Sequence, residues 1–162
     1  MRRISIGGRS YSDPDVISLI EKSGGEIDPR TAVISRAREL NARLRVLGTV
    51  ENPRERLRIL ASLAGVAVRP MLPQVGISGP RRDGLIYQDQ DGRRLAYFDP
   101  SPSEGRANFS IAHEIVHTFF PNSRSGARFR NLHLEDSREA NELERLCDLG
   151  AAELLMPRED FQ

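Results

Sequence analysis

Three side chains in this sequence have the types and spacing to do chemistry together: His113, Glu114 and His117, in the stretch SIAHEIVHTFF from Ser110 to Phe120. Histidines four apart share one face of a helix, and the carboxylate follows the first of them directly. Two neutral imidazoles on one face can bind a Zn²⁺ ion, and the adjoining carboxylate can take a proton from water activated there. The rest of the stretch is apolar, with Ile111, Ala112, Ile115, Val116 and Phe119 between the polar groups. Such a helix turns its aliphatic side chains to a core and its imidazoles to a cleft, which holds the donors rigid and the site dry. The plainer alternative is a core helix with two hydrogen-bonded histidines, and the HExxH spacing alone leaves it open.

A catalytic zinc site needs a third protein ligand and one open position. The extended HExxHxxGxxH pattern is absent, because Phe120 stands in its glycine slot and Ser123 in its third-histidine slot. His133 is the one other histidine, in a polar stretch with nothing at fixed spacing around it. A carboxylate fits better. Glu144 falls in an expected helix, with Asp148 one turn further along the same face. A glutamate there can ligate, and the aspartate can accept a hydrogen bond from the far nitrogen of a liganding histidine. Spacing does not choose Glu144 over Glu139 or Glu142, and an acidic helix surface explains all of them equally well. For a donor to a developing oxyanion, His133, Tyr97 and Tyr87 are the candidates, against their plainer readings as a loop residue and two strand tyrosines. Cys147 beside Asp148 reads first as a small buried residue, and second as a redox sensor or extra ligand. Arg124, Arg128 and Arg130 read as a solvated loop before a substrate contact.

The elements that must position these groups follow from caps and periodicity. Residues 1–30 are rich in Gly, Ser, Asp and Pro, with one short helix expected from Asp13 to Lys22. Asp28-Pro29 opens a second helix, in which Val33, Ala37, Leu40, Leu44 and Leu47 form one apolar stripe until Gly48 stops it. Asn52-Pro53-Arg54-Glu55 opens a third, burying Leu57, Leu60, Ala61 and Ala64 and ending at Gly65. These two helices are expected to form a hairpin. Residues 69–84, broken by proline and glycine, read as loop. Leu85–Gln88 and Arg93–Phe98 read as a β-hairpin turning at Asp91-Gly92. Ser103-Glu104 leads into the HExxH helix, and a polar loop spans about 121–135. Asp136 with Glu139 opens a last helix to about Leu155, closed by Met156-Pro157. The expected class is α+β: residues 1–65 a mainly helical region, and 66–162 a core in which a small antiparallel sheet packs on the metal-binding helices, the two expected to form one compact domain.

Composition bounds the rest. The chain has 162 residues, 38% hydrophobic and 29% charged, with a net charge of +1. Residues 1–60 carry 12 basic and 8 acidic side chains, whereas 101–162 carry 7 and 11, so the two ends complement each other. That balance falls far short of a nucleic-acid-binding stripe, and no direct nucleic-acid contact is expected. No apolar run reaches membrane-spanning length, and the N-terminus lacks the apolar centre of a signal peptide. A lone cysteine cannot close an internal disulfide, so a reduced, cytoplasmic setting is expected.

Two segments together carry a resemblance. NFSIAHEIVHTFF and ELERLCDLGAAELLMP are similar to the two signatures of the ImmA/IrrE metallopeptidases, a gluzincin-like family. The second aligns without a gap through Glu144, Cys147, Asp148, Ala151, Ala152, Leu154, Leu155, Met156 and Pro157. The resemblance implies a zincin-like fold, with His113, His117 and Glu144 as ligands of one Zn²⁺ (Mn²⁺ remaining open), Glu114 as general base and Asp148 as the partner behind a liganding histidine. It also implies site-specific cleavage of a helix-turn-helix repressor in a stress, phage or mobile-element switch. A non-catalytic anti-repressor or toxin–antitoxin module on the same scaffold is the competing expectation. Two packing positions depart from the family: Val116 stands where glycine is common before the second histidine, and Gly150 where an aromatic is common, which is expected to weaken the local core. The sequence stops just past Met156-Pro157, so no C-terminal sensory region is expected.

Overall fold

The first fold element is one that composition concealed. In the computed structural model, which describes residues 2–72, 84–120, 128–129 and 138–161, strands β1 (Ile4–Ile6) and β2 (Arg9–Tyr11) pair antiparallel. Gly7 and Gly8 join them with φ of +58° and +76°. A two-residue turn with positive φ at both positions matches the strand twist, and glycine enters it without steric cost. Three-residue strands are too short to show an alternating pattern, so only the helix after them was legible.

Three helices follow, each opened by a side-chain cap and a proline. Helix α1 (Pro14–Lys22) begins where Asp15 and Val16 N–H groups donate to Asp13 Oδ1 at 2.8 and 3.2 Å. Helix α2 (Pro29–Leu47) is capped by Asp28, and α3 (Pro53–Leu63) by Asn52, which accepts from Glu55 N–H at 3.0 Å. These caps satisfy amide groups that a helix start leaves unpaired. Val33, Ala37, Leu40 and Leu44 of α2 are buried as the stripe requires, but Leu47, in the last turn, is 65% exposed.

Four strands form the main sheet: β3 (Val66–Pro70), β4 (Gly84–Gln88), β5 (Arg94–Phe98) and β6 (Arg128–Phe129), in the order β3-β5-β4-β6. Strand β3 runs parallel to β5 and the other pairs are antiparallel. The sheet is therefore mixed, not the antiparallel sheet expected. Strand β3 escaped the sequence reading because Val66-Ala67-Val68 directly follows a helix end and runs into proline. The reading of 69–84 as loop is corrected at 69–70 and at Gly84, and that of 121–135 at β6. The β4–β5 connection is also longer than a tight dipeptide turn. Gln88 pairs with Arg94, and Asp89 accepts from the Asp91 and Arg93 N–H groups within the loop.

Two long helices complete the fold. Helix α4 (Glu104–His117) starts at Ser103, and α5 (Arg138–Leu155) packs on α2 along one side and α4 along the other. A 3-10 turn, Arg158–Phe161, ends the described chain. One hydrophobic cluster runs from Tyr11 and Val16 through the sheet to Leu154, so the N-terminal helices and the sheet share a core. Polar locks set the helix positions: Arg38 pairs with the buried Glu153 at 3.0 Å, Asn41 Nδ2 donates to the Glu153 carbonyl, and Arg56 donates to Asn41 Oδ1. Among the described residues, no helix is long and apolar enough to cross a membrane.

Candidate metal centre

Helix α4 buries every residue from Ser110 to Val116, and His117 with them. Its aliphatic side chains enter the core, which fixes the rotation of the helix and so the direction of its imidazoles. Helix α5 lies against it and presents Glu144, Cys147, Asp148 and Ala151 along one face, at the i, i+3, i+4, i+7 spacing of a helical stripe. The chemistry lies along the α4–α5 seam.

The two histidine Nε2 atoms stand 3.1 Å apart. Glu144 meets both: Oε2 lies 3.0 Å from His113 Nε2 and Oε1 3.6 Å from His117 Nε2. Behind the first ring, His113 Nδ1 and Asp148 Oδ1 are 2.8 Å apart. With the Nδ1 proton donated to that carboxylate, His113 Nε2 carries a lone pair. Atoms bearing lone pairs at such separations repel each other unless a proton or a cation lies among them. The edge of a tetrahedron built on Zn–N distances of about 2.0–2.1 Å is roughly 3.3 Å, so the three donors have the mutual spacing that a bound metal requires. The imidazoles are sealed from solvent, whereas the side chains of Glu144 and Asp148 are 38% and 51% exposed. The centre therefore opens to solvent along α5.

The structure separates Glu144 from Glu142, which spacing left equivalent, while the side chain of Glu139 lies outside the described residues. Glu142 Oε2 accepts from the Ser12 and Asp13 N–H groups at 3.1 and 3.3 Å, and so ties α5 to the start of α1. Glu153 is taken by Arg38. Among these, Glu144 is the one brought to the histidines, because two residues along a helix is a rotation of about 200°. Cys147 is fully buried with Sγ 3.6 Å from His117 Nδ1. His113, His117 and Cys147 thus form a buried group able to hold a metal ion. Cys147, however, meets His117 at the nitrogen opposite the one facing Glu144, so it stands to His117 much as Asp148 stands to His113.

Glu114 is 1% exposed and its carboxylate faces β4. A Cβ on Gly84 would lie 2.6 Å from Glu114 Oε1, so the carboxylate occupies space that only glycine leaves at the start of β4. Nothing in the chain's local pattern signals this, since Gly84 ends a stretch read as loop. The same register corrects the oxyanion candidates. Gly84 faces Glu114, successive strand residues alternate faces, and Tyr97 pairs with Leu85. Tyr97 and Tyr87 therefore belong to the opposite face of the sheet. His133, Arg124, Arg130 and the Asp136 cap lie outside the described residues.

A family comparison bears on this centre. The model of Peptidase_M78, the IrrE N-terminal-like domain, matches residues 77–162, just over half of the chain. The chain belongs to that family. Its matched span holds β4, β5, α4 and α5, so the Peptidase_M78 region carries the whole His113–His117–Glu144 centre. No curated protein matches the chain. Within the family frame, the two packing departures prove to be one feature. A Cβ on Gly150 would lie 2.8 Å from Val116 Cγ1, Val116 Cγ2 and Val33 Cγ1. Val116 fills the space that Gly150 leaves, so the core at this point is packed rather than weakened.

Proposed function

We propose that this Peptidase_M78 protein is a zinc-dependent, site-specific endopeptidase on a zincin-like arrangement of α4, α5 and the sheet. The observation that carries the reading is the convergence of His113 Nε2, His117 Nε2 and Glu144 within 3.0–3.6 Å, on a helix that also buries Glu114. His113, His117 and Glu144 hold the metal, and Asp148 fixes the His113 ring by its Nδ1. Cys147 packs on the far nitrogen of His117. A zinc held there would supply Lewis acidity toward a substrate carbonyl and a water molecule. Glu114 takes the proton of the attacking water and returns it to the leaving amine. Burial of the two imidazoles and Glu114 keeps bulk water from competing for these groups. Zinc suits a donor set of two imidazoles and one carboxylate, and Mn²⁺ is the alternative to test against it.

The substrate class proposed is a helix-turn-helix repressor, cut in a regulatory switch within the cytoplasm. The test combines elemental analysis with digestion of purified repressors read by fragment mass. About one zinc per chain is expected in the native protein and in Glu114→Gln, with metal lost in Glu144→Ala and cleavage seen in the native protein alone. Full metal retention in Glu144→Ala would remove Glu144 from the ligand set. Cleavage by Glu114→Gln would remove the base. Release of intact repressor from DNA, equally by both proteins, would favour sequestration over proteolysis.

A further inference from the structure

Beside the metal centre lies a cleft of 1090 Å³, between the β1–β2 hairpin, the start of α2 and one flank of α5. Three arginines reach it from these three elements: Arg9, Arg30 and Arg145, all exposed. Among the described residues, none of them pairs with a carboxylate. Glu142 also lines the cleft, but its Oε2 is held by the Ser12 and Asp13 N–H groups. Leu149 is half-buried and, with the edges of the buried Tyr11 and Leu146, adds a small apolar surface to the lining. Asp148 forms the end of the cleft nearest the metal centre, since its Oδ1 lies 2.8 Å from His113 Nδ1.

We propose that this cleft docks an extended polypeptide segment whose carboxylate side chains flank an apolar one. The three guanidinium groups fit carboxylates by charge and by their forked donors. The apolar surface fits a side chain between them. Continuity with Asp148 makes the segment a part of the peptidase substrate remote from its scissile bond, and this assignment alone rests on the function proposed above. A nucleic-acid backbone fits less well. It would bring phosphates past Glu142 and Asp148, and the chain has a net charge of only +1.

The experiment measures binding without turnover, on the full chain carrying Glu114→Gln. The probes are a fluorescein-labelled peptide alternating Glu and Leu and its Gln/Leu twin, read by fluorescence anisotropy. The acidic peptide is expected to bind roughly tenfold more tightly than its twin, and less tightly as salt is raised. Arg9→Gln with Arg145→Gln should cut that preference to what Arg30 alone supplies, each arginine contributing about two- to threefold. The Arg→Lys pair should restore most of it, and Arg58→Gln, on α3, should leave it intact. Equal binding of the two peptides, or a preference undiminished in the double Gln variant, overturns the proposal. So does tighter binding of an oligothymidylate of equal charge, which would make the cleft a phosphate surface. Because no cleavage is read, a failure of the peptidase reading leaves this result standing, and the reverse also holds.

Discussion

Replacing Gly150 by Ala sets two effects of opposite sign against each other. Alanine has the higher helix propensity, and at an exposed position in α5 it would stabilise by about 0.8–1 kcal/mol. Here the new Cβ would lie 2.8 Å from three methyl carbons, Val116 Cγ1 and Cγ2 and Val33 Cγ1. Carbon contacts favour about 3.5–4.0 Å, so α5 must retreat or two fully buried valines must leave their rotamers. Branching at Cβ leaves them few alternatives. Overpacking of this kind costs about 1–3 kcal/mol, and three contacts at once place it in the upper part of that range. The net expectation is a destabilisation of about 1–2 kcal/mol, or a Tm lower by roughly 2–8 °C for a domain of this size. The assay is urea unfolding by circular dichroism in EDTA, so that metal binding does not enter. Val116→Ala removes two of the three contacts. Alone it should cost roughly 1–3 kcal/mol for the cavity it leaves, but combined with Gly150→Ala the loss should be smaller than the sum by about 1 kcal/mol or more. Since α5 carries Glu144 and Asp148, Gly150→Ala should also weaken metal affinity while Val116→Ala/Gly150→Ala recovers part of it. A Gly150→Ala protein more stable than the native one, or strictly additive variants, would refute the close-packing argument.

Three further outcomes follow from the same geometry. Asp148→Asn should lower metal affinity about 10- to 100-fold, because the hydrogen bond that orients His113 is weakened; unchanged affinity in a competitive chelator titration would show that His113 is oriented by other means. Gly84→Ala should keep the metal but lower kcat about 10- to 100-fold, since the added methyl displaces the Glu114 carboxylate; native kcat at full metal content would count against Gly84 as the residue that makes room for the base. Burial, then the neighbouring Asp28 carboxylate, raises the Tyr11 hydroxyl pKa above 10.0. A group protonated more readily in the folded state stabilises it fully below the unfolded pKa and loses that contribution as pH rises through the folded value. Stability should therefore fall above about pH 10, less steeply in Tyr11→Phe, as read from denaturation midpoints at several pH values.

The sequence by itself determined the local features, because each is written within a few residues. Asp13, Asp28 and Asn52 mark the helix starts with the prolines after them, and the apolar stripe of α2 marks its buried side. The HExxH spacing places His113 and His117 on one face because helix geometry fixes it. The second signature pointed to Glu144 as the third ligand, but only through resemblance to a family. The hairpin at Gly7-Gly8 was lost because strands of three residues carry too little pattern, strand β3 because it directly follows a helix end and runs into proline, and the parallel pairing of β3 with β5 joins segments far apart in sequence. Spacing left the glutamates of α5 equivalent, and the tertiary structure brings Glu144 to the histidines. Glu142, Glu144 and Glu153 are alike in type and lie on one helix, and the packing of α5 between α2 and α4 turns Glu142 to the α1 cap, Glu153 to Arg38 and Glu144 to the seam. The same holds for Gly84, Gly150 and Tyr97. A missing methyl, or the face of a sheet, acquires meaning only when a second element approaches it, and no spacing along the chain records that approach.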